Sequence, residues 1–289
     1  MNRKKVYPFY LALIPVLMFT VFFIIPSTVG YLYAFTNWSA ARTTGLKFVG
    51  LENIISVVQN SKIPVAFANT LIYAGVKTIL VTVLGFVFAY ILNRKIKTQT
   101  ALRTVYFIPS IFSCLVVGLI FSAVFQTRHG TLNDILNFFG FSSVQWLGER
   151  GTAIFAICFA EVWRNVGYAI IITLAGLQSV STDYLEAAKL DGASEWQIFK
   201  NVTLPLIMPT VNVNILFSLI YGLKMFDLIY VMTGGGPGNA TESFGTLMMN
   251  EMSAGRYAQS VAVNLVFTVI LVVISFVYQK FSSKWETVE

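Results

Sequence analysis

An all-α integral membrane protein with six transmembrane helices is the fold class this sequence predicts, and three observations predict it. Of 289 residues, 56% are hydrophobic and only 11% are charged, against roughly 25% charged in an average soluble domain. Mean hydropathy is +0.71. Six apolar runs each reach the roughly 20 residues that a helix needs to cross the hydrocarbon core. The runs are continuous and lack the alternation of a membrane β-strand, which excludes a membrane barrel. The same composition excludes a soluble enzyme, a disulfide scaffold and a disordered chain, because so few ionisable groups could not cover so much apolar surface.

The spans fall at 7–35, 67–92, 105–125, 152–177, 206–231 and 261–281. Span one follows Arg3, Lys4 and Lys5. It far exceeds the roughly 7–15 residues of a signal-peptide core, so it reads as a retained anchor. Residues 1–66 then form an N-terminal anchor helix with the first external loop. Residues 67–281 form a five-helix core whose longest informative loop is 178–204, and 282–289 form a tail. Orientation follows from the basic residues. With both termini cytoplasmic, Arg3, Lys4, Lys5, Arg94, Lys95, Lys97, Arg103, Lys189, Lys200, Lys280 and Lys284 lie inside. Arg42, Lys47, Lys62, Arg128, Arg150 and Arg256 lie outside. This asymmetry accounts for the net charge of +7, and no basic helix accompanies it that would point to nucleic acid. Cys114 and Cys158 sit inside apolar runs, and His129 is the only histidine. Neither a metal site nor a cofactor is expected.

The loop between spans four and five reads as two short helices around a glycine turn. Asp183 with Glu186, and Ser194 with Gln197, stand three residues apart, the spacing of capping boxes at two helix starts. Gly192 stands where the first helix must stop, since glycine takes positive φ without a Cβ penalty. Pro205 and Pro209 open the next span. Local physics alone leaves this open as an ordinary interhelical loop.

The order Glu186-Ala187-Ala188, then Asp191-Gly192-Ala193, then Leu204-Pro205 closely resembles the signature loop of permease subunits of ABC importers. Phe48 to Asn53, Asn69-Thr70, Arg103 with Ile108-Pro109, Gly130 with Asn133, and Ala175 to Gln178 match in the same order. Gly234-Gly235-Gly236-Pro237 after Thr233 resembles the binding-protein-dependent carbohydrate-uptake branch, similar to the maltose and glycerol-phosphate permeases. The resemblance implies a subunit of a bacterial or archaeal cell membrane importer. A second permease, two cytoplasmic ATPase subunits, an extracytoplasmic solute-binding protein and a carbohydrate substrate would be its partners, with lipid around it. It implies that the helix 184–190 docks on an ATPase, with Glu186 the charged contact and Gly192 the turn that sets the docking angle. Glu186 has a second reading as the third helical residue of a capping box, and the two roles can coexist. No phosphate-binding G-x-x-x-x-G-K-[S/T] loop is present, so ATP hydrolysis falls to a partner and the chain itself is not an enzyme.

Charges at membrane depth are costly and face the bundle interior or a wet cavity. Glu161 with Arg164, and Lys224 with Asp227, are three residues apart and can pair along a helix. Lys77 lies alone in span two. Arg164, Asn165 and Tyr168 on span four, and Tyr221 and Met225 on span five, are the solute-pathway candidates. Their rings suit the CH faces of a sugar and their polar groups its hydroxyls. Packing between helices is the competing reading for each. Gly234, Gly235, Gly236 and Pro237 are expected at the external mouth, or as a plain turn. A self-sufficient, ATP-independent secondary transporter is the alternative; it would show paired discontinuous helices and an unpaired carboxylate.

Overall fold

The computed structural model describes residues 10–41, 45–94 and 97–286. Arg3, Lys4, Lys5, Arg42 and Lys95, all used for orientation, lie outside the described residues, as do tail residues 287–289. Helices dominate, and among the described residues the only β pairing is an isolated bridge between Thr36 and Phe48. The chain divides into two compact units: Met1–Ile63 with Leu247–Thr268, and Pro64–Thr246 with Val269–Glu289.

In the first unit, α1 (Leu11–Phe35) is a long apolar helix, and α2 (Glu52–Gln59) is short and amphipathic in sequence. Asn53 joins the two, donating through Nδ2 to the Ala34 and Thr36 carbonyls at 2.8 Å each. Trp38 packs between Tyr33 and Tyr257, with ring centroids 4.6 and 4.9 Å away.

The second unit holds α3 (Lys62–Leu92), α4 (Gln99–Ile111), α5 (Cys114–Val124) and α6 (Thr131–Phe138). It continues with α7 (Ala153–Ser179), α8 (Thr182–Leu190), α9 (Glu195–Leu223) and α10 (Asp227–Met232). Two further helices, α11 (Phe244–Ser253) and α12 (Tyr257–Glu286), complete the chain. Among the described residues, five helices are long and apolar enough to cross a membrane, and α4 with α5 passes the same test as a pair bent by 96° at the break between them.

Two of the expected spans are therefore not continuous. Span three breaks at Phe112, whose ψ of 141° is extended. Pro109 lies in the last turn of α4, and proline removes a helical N–H and crowds the preceding carbonyl. Ser113 then starts α5 afresh, its Oγ accepting from the Val116 N–H at 3.3 Å. Span five stops at Leu223 instead of reaching 231, and Asp227 opens a separate helix. At its other end that span begins earlier than expected. The elbow's second helix runs through a π-turn, Phe199–Thr203, straight into Leu204–Leu223. The wide turn lies immediately before Pro205, which has no N–H to give to a regular helix.

α7 is the most deeply buried span, with 56% of its apolar window covered, so the second unit is built around it. One cluster gathers Tyr73, Val117, Phe121, Ile157 and Leu228 on one side. Another gathers Ala89, Ile170, Leu174, Ile207 and Val211. Lipid is as apolar as these side chains, so close packing has to hold the helices together. Gly167 shows how close: a Cβ there would stand 2.2 Å from the Tyr106 carbonyl oxygen. The backbone of α4 thus lies directly on α7. Both Cys114 and Cys158 are free.

Candidate functional site

A cavity of about 490 Å³ opens in the second unit, walled by α3, α4, α7 and α9 and floored by the break between α9 and α10. Arg164, Asn165, Tyr168, Tyr221 and Met225 all line it. The first three come from one face of α7, where steps of three and four residues superpose. Tyr221 sits in the last turn of α9, and Met225 lies in the loop beyond it, so the break, not helical spacing, brings Met225 to the wall.

The charged groups pair differently from the local spacing. Arg164 grips Glu161 in a two-point contact, Nε donating to Oε2 at 3.2 Å and Nη2 to Oε1 at 3.0 Å. Lys77 Nζ reaches the same Oε1 from α3 at 3.5 Å. One carboxylate therefore serves two cations. The Lys77 side chain is 2% exposed, Glu161 9% and Arg164 20%, so only the arginine opens substantially to the cavity. The expected Lys224–Asp227 pair does not form: no ion pair joins them among the described residues. The helix ends at Leu223, so the two no longer share a helical face. Both are exposed on the cavity wall, one of each sign.

The uncharged groups divide into those already engaged and those presented to the cavity. Asn214 also lines the cavity, but its amide donates to the Ala169 carbonyl at 3.1 Å and to Thr173 Oγ1 at 3.0 Å. It ties α9 to α7 and has no donor left for a solute. Asn165 donates one N–H of Nδ2 to the Glu161 carbonyl at 3.0 Å while its side chain lines the cavity. Tyr168 packs against Phe107 with the rings tilted by 60° and their centroids 5.4 Å apart, and the Lys77 ammonium stands 5.9 Å from the Tyr221 ring. Both tyrosines are otherwise exposed in the cavity. The sequence reading missed Lys77 as a member of this cluster. Its signal was present, since Lys77 is the only charge in α3 beyond Lys62 and has no partner within its own helix.

The elbow is a second, separate arrangement. Ser181, not Asp183, caps α8, with Oγ accepting from the Asp183 N–H at 3.2 Å. Glu186 is consequently outside the cap, and its capping role falls away. At the other end Gly192 has φ of +79°. The Gly192 N–H bonds to the Lys189 carbonyl and the Ala193 N–H to the Ala188 carbonyl, each at 3.0 Å. That crossed pair is the Schellman closure, which satisfies carbonyls a helix end otherwise leaves open. Ser194 and Gln197 then form the expected capping box. Both ends of α8 are thus closed by neighbouring residues, while Glu186, Ala187, Asp191 and Gly192 stay exposed and Ala188 is half-buried. Tyr184 is 60% and Leu190 89% exposed.

The glycine-rich turn is more tightly pinned than an open loop. Gly234 and Gly235 have φ of +59° and +94°. Thr241, fully buried, donates Oγ1 to the Gly236 carbonyl and lies 2.7 Å from Thr233 Oγ1. Asn69 on α3 holds the far arm, donating to the Asn239 and Glu242 carbonyls at 3.2 and 3.0 Å. Gly234 is exposed, Gly236 and Pro237 are half-buried, and Gly235 is buried against Glu242.

Comparison with known proteins places this arrangement. Residues 81–285 match the family described as binding-protein-dependent transport system inner membrane component. The trehalose/maltose transport system permease protein MalF of Thermococcus litoralis is 34% identical, over 94% of this chain and 92% of that protein. The multiple sugar-binding transport system permease protein MsmF of Streptococcus mutans is also 34% identical, over 95% and 94%. Among solved structures, a chain of a bacterial ABC transporter that imports the acidic polysaccharide alginate superposes with a TM-score of 0.82 at 21% identity, covering 95% of this chain and 94% of that one.

Proposed function

This chain belongs to the binding-protein-dependent transport system inner membrane components, and from that premise we infer that it is a permease subunit for mono- or oligosaccharide uptake. It is a membrane subunit without catalytic chemistry of its own. In the proposed assembly it forms the translocation pathway with a second, different permease. Two ATPase subunits lie on the cytoplasmic side with both termini, and an extracytoplasmic binding protein delivers the sugar. The Gly234 to Pro237 turn faces that protein at the external mouth. The relatives' sugar substrates support the solute class, as does a cavity lined by two tyrosine rings and the Asn165 amide. The breaks in spans three and five, which a self-sufficient transporter would also show, do not favour that alternative, because this family depends on a binding protein.

The observation that carries the coupling role is the elbow, residues 178–204. A nine-residue helix closed at both ends by its own chain presents Tyr184, Glu186 and Leu190 outward. Such a rigid, apolar-tipped helix suits a groove on a partner ATPase. ATP-driven closure of the ATPases would then rock the spans between inward- and outward-facing states.

Glu186→Gln should lower uptake by the reconstituted importer about tenfold, the loss of one charge-assisted contact of about 1.4 kcal/mol, while thermal unfolding stays as in the parent. Undiminished uptake would remove Glu186 from the coupling contact. Solute movement or ATP hydrolysis by this chain alone would overturn the importer reading itself. For the cavity, Tyr168→Ala and Tyr221→Ala should each raise the half-saturating sugar concentration about 2- to 10-fold, the worth of one ring contact. Parent-like uptake in both would move the solute path elsewhere.

A further inference from the structure

A second concavity lies away from the charged cavity, where the end of α3 meets the start of α9. It has a volume of about 360 Å³ and is walled by Phe86, Tyr90, Trp196 and Phe199. The rings form one connected cluster. Phe199 stands 5.8 Å from Phe86, 5.3 Å from Tyr90 and 5.4 Å from Trp196. Val87 and Ile91 complete an apolar floor that is itself exposed.

Three features fix its setting. Its α3 wall is the last two turns of a membrane-crossing helix, so the groove lies at the membrane edge and not beyond it. Tyrosine and tryptophan concentrate at that level, where an amphipathic ring has one side in hydrocarbon and one in the headgroups. The rim carries one charge of each sign: the Arg94 guanidinium lies 5.7 Å from the centre of the Tyr90 ring, and Glu195 lines the opposite wall. Neither takes part in an ion pair among the described residues.

An apolar slot with a cation and an anion at its mouth matches a molecule with a hydrocarbon chain and a zwitterionic headgroup. We propose that this groove is a binding site for one phospholipid of the phosphatidylethanolamine type. One acyl chain lies along Phe86, Val87 and Ile91, and the phosphate accepts from Arg94. The primary ammonium donates to Glu195. A guanidinium holds a phosphate by two parallel N–H bonds, and a primary ammonium has the N–H donors that a choline headgroup lacks. The elbow helix α8 lines no part of this groove, which is built from α3 and the start of α9. The proposal depends on the chain spanning a membrane and not on its being a sugar permease.

The test is native mass spectrometry of the full chain in detergent, titrated with dioleoyl phosphatidylethanolamine, phosphatidylglycerol or phosphatidylcholine. One phosphatidylethanolamine should bind at least fivefold more tightly than either other lipid. Glu195→Gln should erase the preference over phosphatidylcholine, and Arg94→Gln should weaken all three lipids. Both residues are exposed at the rim, so neither change should disturb the fold. Equal binding of the three lipids would overturn the proposal, as would tighter binding of phosphatidylglycerol or variants that bind like the parent. Binding lost when the partner ATPase is added would assign the groove to protein instead.

Discussion

Glu161→Leu is expected to destabilise the chain by about 3–5 kcal/mol, the cost of leaving buried charge without its partner. Among the described residues, Glu161 is the only anion touching both Lys77 and Arg164. Its removal strands an ammonium that is 2% exposed, in surroundings where ionised groups are expensive. Arg164 suffers less, because it opens to the cavity. Lys77→Met is expected to cost far less, about 1–2 kcal/mol, since it leaves a one-to-one pair between Glu161 and Arg164 and a side chain of similar length. The ranking separates charge from packing. It is read from thermal unfolding of the two variants in detergent, together with their yield in the membrane. Equal losses would mean that the cluster matters for its volume and not for its charge.

Gly167→Ala is expected to cost about 2–3 kcal/mol, although alanine is the better helix former by about 1 kcal/mol. The added methyl would lie 2.2 Å from a backbone oxygen and 3.0 Å from the Cα of Phe107. No rotamer change relieves a backbone clash, so α4 has to move off α7, and Ser110, whose hydroxyl donates to the Arg164 carbonyl at 2.8 Å, moves with it. Uptake should therefore fall with stability. Gly75→Ala on α3 is the control, since nothing lies within 4 Å of its Cβ position, and it should be neutral or stabilising by up to about 1 kcal/mol. If both variants behave like the control, α4 does not sit on α7 as closely as the geometry requires.

Much of the architecture was legible in the residues because it depends on local rules. Hydrocarbon thickness converts apolar run length into spans, and all six runs recur as helices or bent pairs. The Ser194–Gln197 box and the Gly192 stop involve neighbours a few residues apart, so spacing is sufficient to place them. The solute-pathway candidates were found the same way on α7, where one helical face collects Arg164, Asn165 and Tyr168. The N-cap of α8 was misplaced because Ser181 and Asp183 are both good cap residues and only the backbone conformation chooses between them.

What the sequence by itself determined is the class of protein, the places of its six apolar runs, and the elbow that marks the permease family. Only the tertiary structure decided which charges meet. It gave Glu161 to Lys77 as well as Arg164, set Lys224 and Asp227 apart across a helix break, and spent Asn214 on a bond between helices. The physical reason is that a membrane helix is apolar all round, whether it faces lipid or protein. Hydrophobic periodicity therefore reports the length of such a helix but not the direction of its faces, and contacts between helices become visible only when the helices are packed.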